Sequence, residues 1–359
     1  MKITRYLYIL IVLVISSCKG SSCYQYEVSE IFLDSIPSSV LEGKQVDYFN
    51  MEDVYRLYSV DSFLIVHREY DKYFYNVYSY DFDSIMSFGL LGRSRNEFLF
   101  RPVNMNNQIY TRNGDYIMTV IDNGTCREVN ISQTINKGST VIEGSFQSLP
   151  VSIGSSVKIG DKNEQLVYVY ATDDDMYSNK LELPKLYYID KNGKSKEYAV
   201  FSKEFKCPNP DQLRFIFYRG YLMKQPEGKR VVMPMSFMNY ILCFDTAKRR
   251  QSALHINGAS TFEDGIPDIS SDSTVRCFAD NALLLPDKLI VLYYGDYDEM
   301  REQDPNYNGR LLVFNWDGIL LKSYIMHDFV NEITYNREKK ILYGANTLQE
   351  KIFTYYFDE

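Results

Sequence analysis

Between Val54 and Gly89 the apolar and aromatic residues fall into four short alternating runs, VYRLYS, FLIVHRE, YNVYSYDF and SIMSFG, each closed by a few polar or turn-forming residues. Such runs read as half-buried strands joined by tight turns. Lettered A to D, they are Val54–Ser59, Phe63–Glu69, Tyr75–Phe82 and Ser84–Gly89. The C-terminal end shows the same plan at Asn331–Asn336, Lys339–Asn346 and Lys351–Phe357, and the chain then stops at Asp358 and Glu359 with no D strand.

A strand ending in Asp or Asn, a polar turn and a second strand recur at Asp81, Asp122, Asp190, Asp245, Asn315 and Asp358. The intervals are 41, 68, 55, 70 and 43 residues. Their mean, about 55, suits four short strands with loops. The pattern predicts an all-β fold, a six-bladed β-propeller in residues 24–359. The missing strand of the last blade has to come from elsewhere, because an open seam would leave a sheet edge unpaired. The strand-like stretch Tyr24–Ser35 precedes the first blade and belongs to none, so it is expected to pair with Lys351–Phe357 and close the ring.

Composition adds limits. The 359 residues carry a net charge of −8 with a pI near 5.2, which argues against nucleic-acid binding, because neutralising phosphates needs a broad basic face. The basic runs Lys248–Arg250 and Arg337–Lys340 read as solvated turns. At the N-terminus, Lys2 and Arg5 precede ten apolar residues, Tyr6–Ile15. Ten are too few to span a bilayer, so residues 1–17 read as an export signal. The following ISSC, Ile15–Cys18, resembles the lipobox of bacterial lipoproteins. That resemblance implies a lipid on Cys18, a tether over residues 18–23, and a cell-envelope address at the outer membrane of a Gram-negative bacterium. An ordinary cleaved signal beside a chance cysteine is the alternative. Five further cysteines, Cys23, Cys126, Cys207, Cys243 and Cys277, match no zinc spacing and cannot all pair within one chain. Buried thiols are expected for most, with one disulfide left open.

The segment Phe88–Pro102, FGLLGRSRNEFLFRP, follows the first D strand. It resembles the interblade loop of TolB-like and NHL-type six-bladed propellers, which in Bacteroidales propeller lipoproteins reads GRGPGEF. Gly92, Arg93, Glu97 and Phe98 match, whereas Ser94, Arg95 and Asn96 replace the Gly-Pro-Gly centre. The resemblance implies fold and location more than activity. Four Asp-Ser/Thr triplets, at Asp34, Asp83, Asp245 and Asp272, also resemble the O-glycosylation motif of that phylum, at a length that chance supplies readily.

In such a ring the B-to-C and D-to-A connections open on one face. Two B-to-C loops are long and acidic, Ala171–Leu183 and Gly295–Gly309. The candidate ligand residues are therefore Arg93, Arg95 and Glu97 of the first D-to-A loop, Asp174 and Tyr177 of one long loop, and Asp296, Tyr297, Asp298 and Glu299 of the other. Carboxylates would take a cation, calcium being the candidate, and tyrosines would stack on a glycan; solvation alone also explains acidic loops. The loop lacks the sixth-position glycine of an EF-hand. His67, His255 and His327 fall in three different blades, which places them as structural residues. No GxSxG, HExxH or phosphate-loop motif occurs. The expected function is a monomeric envelope lipoprotein acting as a binding or scaffold propeller with a protein or glycan partner. A metal-dependent, lactonase-like propeller hydrolase is the alternative; it requires Asp, Glu, Asn or His from at least three A-strand starts to meet on the axis.

Overall fold

Six antiparallel sheets follow one another along the chain, and the first strands of neighbouring sheets adjoin around a common axis. The computed structural model describes residues 27–60, 62–102, 109–123, 125–147, 152–160, 164–172, 184–200, 218–256, 277–297 and 309–359. Three short strands come before the first blade: β1 (Glu27–Ile31), β2 (Ser38–Leu41) and β3 (Lys44–Gln45). Blade 1 is β4 (Val54–Val60), β5 (Phe63–Arg68), β6 (Tyr73–Tyr78) and β7 (Ser84–Leu90). Blade 2 is β8 (Ile109–Arg112), β9 (Asp115–Asp122), β10 (Thr125–Asn130) and β11 (Ile142–Gln147), and blade 3 is β12 (Ser152–Lys158), β13 (Gln165–Thr172), β14 (Lys185–Ile189) and β15 (Ser195–Ala199). Blade 4 is β16 (Met223–Lys224), β17 (Arg230–Pro234), β18 (Tyr240–Asp245) and β19 (Arg250–Ile256). Blade 5 is β20 (Cys277–Leu284), β21 (Lys288–Tyr297), β22 (Arg310–Asn315) and β23 (Leu320–Met326), and blade 6 is β24 (Glu332–Asn336), β25 (Ile341–Asn346) and β26 (Lys351–Tyr356).

The N-terminal region does close blade 6, but through Lys44–Gln45 and not through Tyr24–Ser35: Gln45 pairs with Phe353 and Lys44 with Thr354. The described part of the expected closing stretch instead adds β1 to the outside of blade 4, parallel to β19, with Glu27 opposite Ser252 and Ile31 opposite Ile256. β2 then lies parallel to β23 on blade 5, with Ser38 opposite Ser323. The chain thus straps three successive outer edges before entering blade 1. Its apolar residues explain the path. Ile31 and Leu33 drop into the core between blades 4 and 5, Leu41 into that between blades 5 and 6, and Phe49 and Met51 into that between blades 6 and 1. Each step removes an apolar side chain from water and caps an edge that would otherwise be a template for aggregation.

Large side chains fill the joints between blades, as their alternation predicts: Tyr75, Tyr168, Tyr240, Tyr343, Tyr355, Phe88, Phe98, Phe314 and Phe357 are fully buried. The joint between blades 2 and 3 is different. There Glu128 accepts from Arg112 at 2.8 Å and from Lys158 at 3.2 Å, and Tyr110 donates to the same carboxylate. Burial alone would raise the Glu128 pKa, yet the bonds from Tyr110 and Arg112 and the charge of Lys158 hold it below the usual range.

The recurrent Asp or Asn is a turn acceptor at three of the six positions. Asp190 Oδ1 accepts from Asn192 N and Lys194 N, Asp245 Oδ1 from Ala247 N and Lys248 N, and Asn315 Oδ1 from Asp317 N and Ile319 N. In blade 1 the same job falls to Ser79, whose Oγ accepts from Asp81 N and Asp83 N. Asp122 ends a second strand where the others end or follow a third, which accounts for the unequal intervals of 41 and 68 on either side of it. The terminal acidic pair is also explained: Glu359 pairs with Arg337 at 2.7 Å and Asp358 with Lys340 at 2.9 Å, so the end of the chain is pinned to the first-to-second-strand turn of its own blade.

A helix, α1 (Ile131–Lys137), lies between the third and fourth strands of blade 2. Asn130 caps it by accepting from Gln133 N, and Gly138 ends it at φ 66°.

Candidate ligand site at the axial mouth

Second-to-third-strand connections and interblade connections emerge at one end of a four-stranded meander ring, and the loop between β7 and β8 is one of them. Its anchor is Phe98, fully buried against Phe74 and Tyr75. Gly89, at φ 82°, brings the backbone so close that a Cβ there would stand 3.0 Å from Tyr75 and 3.2 Å from Phe98. Glu97 turns its carboxylate inward and accepts from Ser94 N at 2.9 Å. The backbone and hydroxyl of Ser94 hold its pKa below the usual carboxylate range. A Cβ on Gly92 would collide with that carboxylate, 2.0 Å away. The Gly92, Glu97 and Phe98 signature is therefore a loop-folding device in which the Glu97 carboxylate holds the turn. Arg93 and Arg95 are exposed on it.

Beneath the loop lies a clamp that sequence reasoning missed. Asp122, 2% exposed, accepts from Leu99 N at 3.1 Å, Phe100 N at 2.9 Å and Arg127 Nη1 at 2.8 Å. Arg127 in turn donates to the carbonyls of Glu97 and Arg95. Asp174, Tyr177, Asp298 and Glu299 lie outside the described residues, as do Cys18, Cys23 and Cys207. Asp296 and Tyr297 end β21, where Tyr297 pairs with Cys277. Cys126 and Cys243 are free thiols; burial raises both, Cys243 to about 12.

On the axis, the start of blade 1 and the segment leading into blade 4 bring arginine and tyrosine side chains together. Arg101 and Arg56 stack on the ring of Tyr55 at 5.1 and 5.3 Å. Arg56 also reaches 5.9 Å from the ring of Tyr221, and Arg219 stacks on that ring at 5.3 Å and donates to its hydroxyl at 2.8 Å. Tyr55 and Arg56 start blade 1, whereas Arg219 and Tyr221 lead into blade 4 on the opposite side of the ring. The line Arg101, Tyr55, Arg56, Tyr221, Arg219 thus crosses the axial mouth. Arg56 is buried, while the other four are partly open to solvent. Beside it, Asn281 of blade 5 donates to Glu332 of blade 6 at 2.9 Å, and Arg101 pairs with Glu69. Among the described residues no three His, Cys, Asp or Glu side chains gather as a metal would need.

Behind Tyr55 sits His67, fully buried, in edge contact with Tyr55 and stacked on Tyr75 at 4.7 Å. Both its ring nitrogens, and the hydroxyls of Tyr58 and Tyr75, lack a hydrogen-bond partner. Burial, helped by Arg101 and Arg56, lowers the His67 pKa from 6.5 to about 3. The unfolded chain takes up this proton below pH 6.5 and the folded one does not, so stability is full above pH 6.5 and falls as the pH drops from there toward 3. Melting temperatures across pH 4–8 should show this slope, and His67→Leu should flatten it; equal slopes in both proteins would refute the assignment. His255 bonds Glu30 of the strap at 3.1 Å, and the exposed His327 lies 3.7 Å from Asp328. The three histidines do stand in separate places, two in blades 1 and 4 and one just after blade 5.

This fold and site define the class: an all-β, six-bladed propeller whose axial mouth is lined by arginine and tyrosine. No protein-family model matches the chain, and no curated protein matches it. Among solved structures, a protein from Bacteroides fragilis described as exported has TM-score 0.51 at 11% identity, covering 92% of this chain and 99% of its own. A member of the DUF4221 family from Bacteroides vulgatus has TM-score 0.52 at 10% identity, covering 89% and 96%. At these identities the likeness is one of fold.

Proposed function

We propose that the protein is an exported lipoprotein, anchored through Cys18, that binds a ligand at the axial mouth of its propeller. The observation that carries the binding role is the arginine and tyrosine line joining opposite blades. Among the described residues this mouth gathers three guanidiniums, Arg56, Arg101 and Arg219, against two carboxylates, Glu69 and Glu332. Guanidiniums favour carboxylate or sulfate in forked geometry, and tyrosine faces favour a ring to stack on. A sugar acid or sulfated saccharide is the simplest ligand having both. The export signal, the ISSC sequence and the Bacteroides fragilis neighbour described as exported support the envelope address.

The test is titration of the mature chain with oligogalacturonate, a sulfated oligosaccharide and a neutral oligosaccharide. The expected result is saturable binding to an acidic ligand, weakened at least tenfold by Tyr221→Ala or Arg219→Gln. Absence of binding, or equal affinity for the neutral sugar, would overturn the reading. Cys18→Ala should move the protein out of the membrane fraction and abolish fatty-acid labelling.

A further inference from the structure

The direction of the strap tells which face of the ring a lipid tether leaves from. β1 runs parallel to β19, and Glu27 lies opposite Ser252, two residues after the third-to-fourth-strand turn of blade 4 begins its return strand. The strap therefore enters at the end of the ring that carries the first-to-second and third-to-fourth turns, opposite to the axial mouth and to Arg93 and Arg95. Eight residues separate Cys18 from Glu27, a reach of about 28 Å at full extension.

The turns at this edge depart from the acidic balance of the chain. Three segments, 190–197, 224–230 and 245–250, hold nine Lys and Arg against four Asp and Glu. They belong to blades 3 and 4 and adjoin one another, since Arg249 stacks on Tyr188 at 5.0 Å. Lys191, Lys194 and Lys229 are exposed, and among the described residues none of them forms an ion pair. Of the other basic residues in these turns, Arg230 pairs with Asp317, Lys248 with Asp245 and Arg250 with Glu27, whereas in blade 6 the terminal acids pair with Arg337 and Lys340.

From tether polarity and charge together, we propose that the turn face of blades 3 and 4 docks on an anionic phospholipid bilayer. The basic turns supply the second signal that strengthens a lipid anchor, and the axial mouth then points away from the membrane. The orientation rests on lipidation of Cys18, but the docking surface does not, so it is tested without lipid. Residues 18–359, made unacylated, are floated with vesicles of phosphatidylcholine alone or with about one third phosphatidylglycerol. Binding should appear on the anionic vesicles only, fall as salt shortens the screening length, and drop at least fivefold in Lys191→Glu/Lys194→Glu/Lys229→Glu. The opposite-face variant Arg93→Glu/Arg95→Glu should bind as the parent does. No binding to anionic vesicles, equal binding to neutral ones, or an equal loss in the opposite-face variant would overturn the proposal. Matching melts of the two variants guard against a folding artefact.

Discussion

A chain beginning at Val46 should lose its single cooperative unfolding transition and collect largely in the insoluble fraction, whereas residues 18–359 remain soluble. Deleting the strap removes Ile31, Leu33 and Leu41 from two interblade cores. At about 1.5–3 kcal/mol for each buried side chain, that is roughly 5–9 kcal/mol, an upper bound because unfolded chains already bury some surface. Whole proteins are stable by only about 5–15 kcal/mol. The deletion also uncovers the outer edges of blades 4 and 5 and leaves blade 6 with three strands. Solubility and a thermal melt decide the matter: a soluble truncated protein melting within about 3 °C of the parent, on the usual scale of a degree-level shift per fraction of a kcal/mol, would show the strap to be dispensable.

Asp122→Ala should be the most damaging single substitution at the loop face. It orphans the N–H groups of Leu99 and Phe100 and strips the half-buried Arg127 of its carboxylate, although the carbonyls of Glu97 and Arg95 remain as acceptors. Breaking such a pair costs about 3–5 kcal/mol, which in a chain of this size lowers Tm by roughly 4–7 °C. Asp122→Asn keeps an acceptor for the loop and should cost clearly less. Ligand binding at the axial mouth should suffer as well, since Arg101 leaves the same loop to stack on Tyr55. Differential scanning calorimetry of the two variants checks the ranking; equal melts for Ala and parent would show that Asp122 organises nothing.

Blade 1 and blade 6 were legible in the sequence to within one or two residues, except that the expected strand Tyr75–Phe82 runs from Tyr73 to Tyr78, where the Ser79 turn ends it. Val54–Ser59 and Phe63–Glu69 became Val54–Val60 and Phe63–Arg68, and Lys351–Phe357 became Lys351–Tyr356. Period-two alternation is a local property, and so is the Asx-type turn chemistry at Asp190, Asp245 and Asn315. The helix Ile131–Lys137 had a local signal too, an Asn cap and a terminal Gly around NISQTINKG, but repeat counting looked past it.

The strap and the site were not legible in the same way. Which sheet edge a lone strand joins depends on where the complementary hydrophobic gap lies in space. The apolar residues Ile31, Leu33, Leu41, Phe49 and Met51 carry no label for the joint that each fills. The axial line draws Tyr55 and Arg56 to Tyr221 and Arg219, more than 160 positions away, and in the sequence those tyrosines look like all the others. The sequence by itself determined strand content, blade number and the existence of a closing segment, because alternation, turn residues and repeat length act over a few neighbours. Tertiary structure alone decided which edges the N-terminus covers, that Glu97 folds its loop, and that arginine and tyrosine from opposite blades meet at the mouth, because closing a ring brings together residues that no local interaction connects.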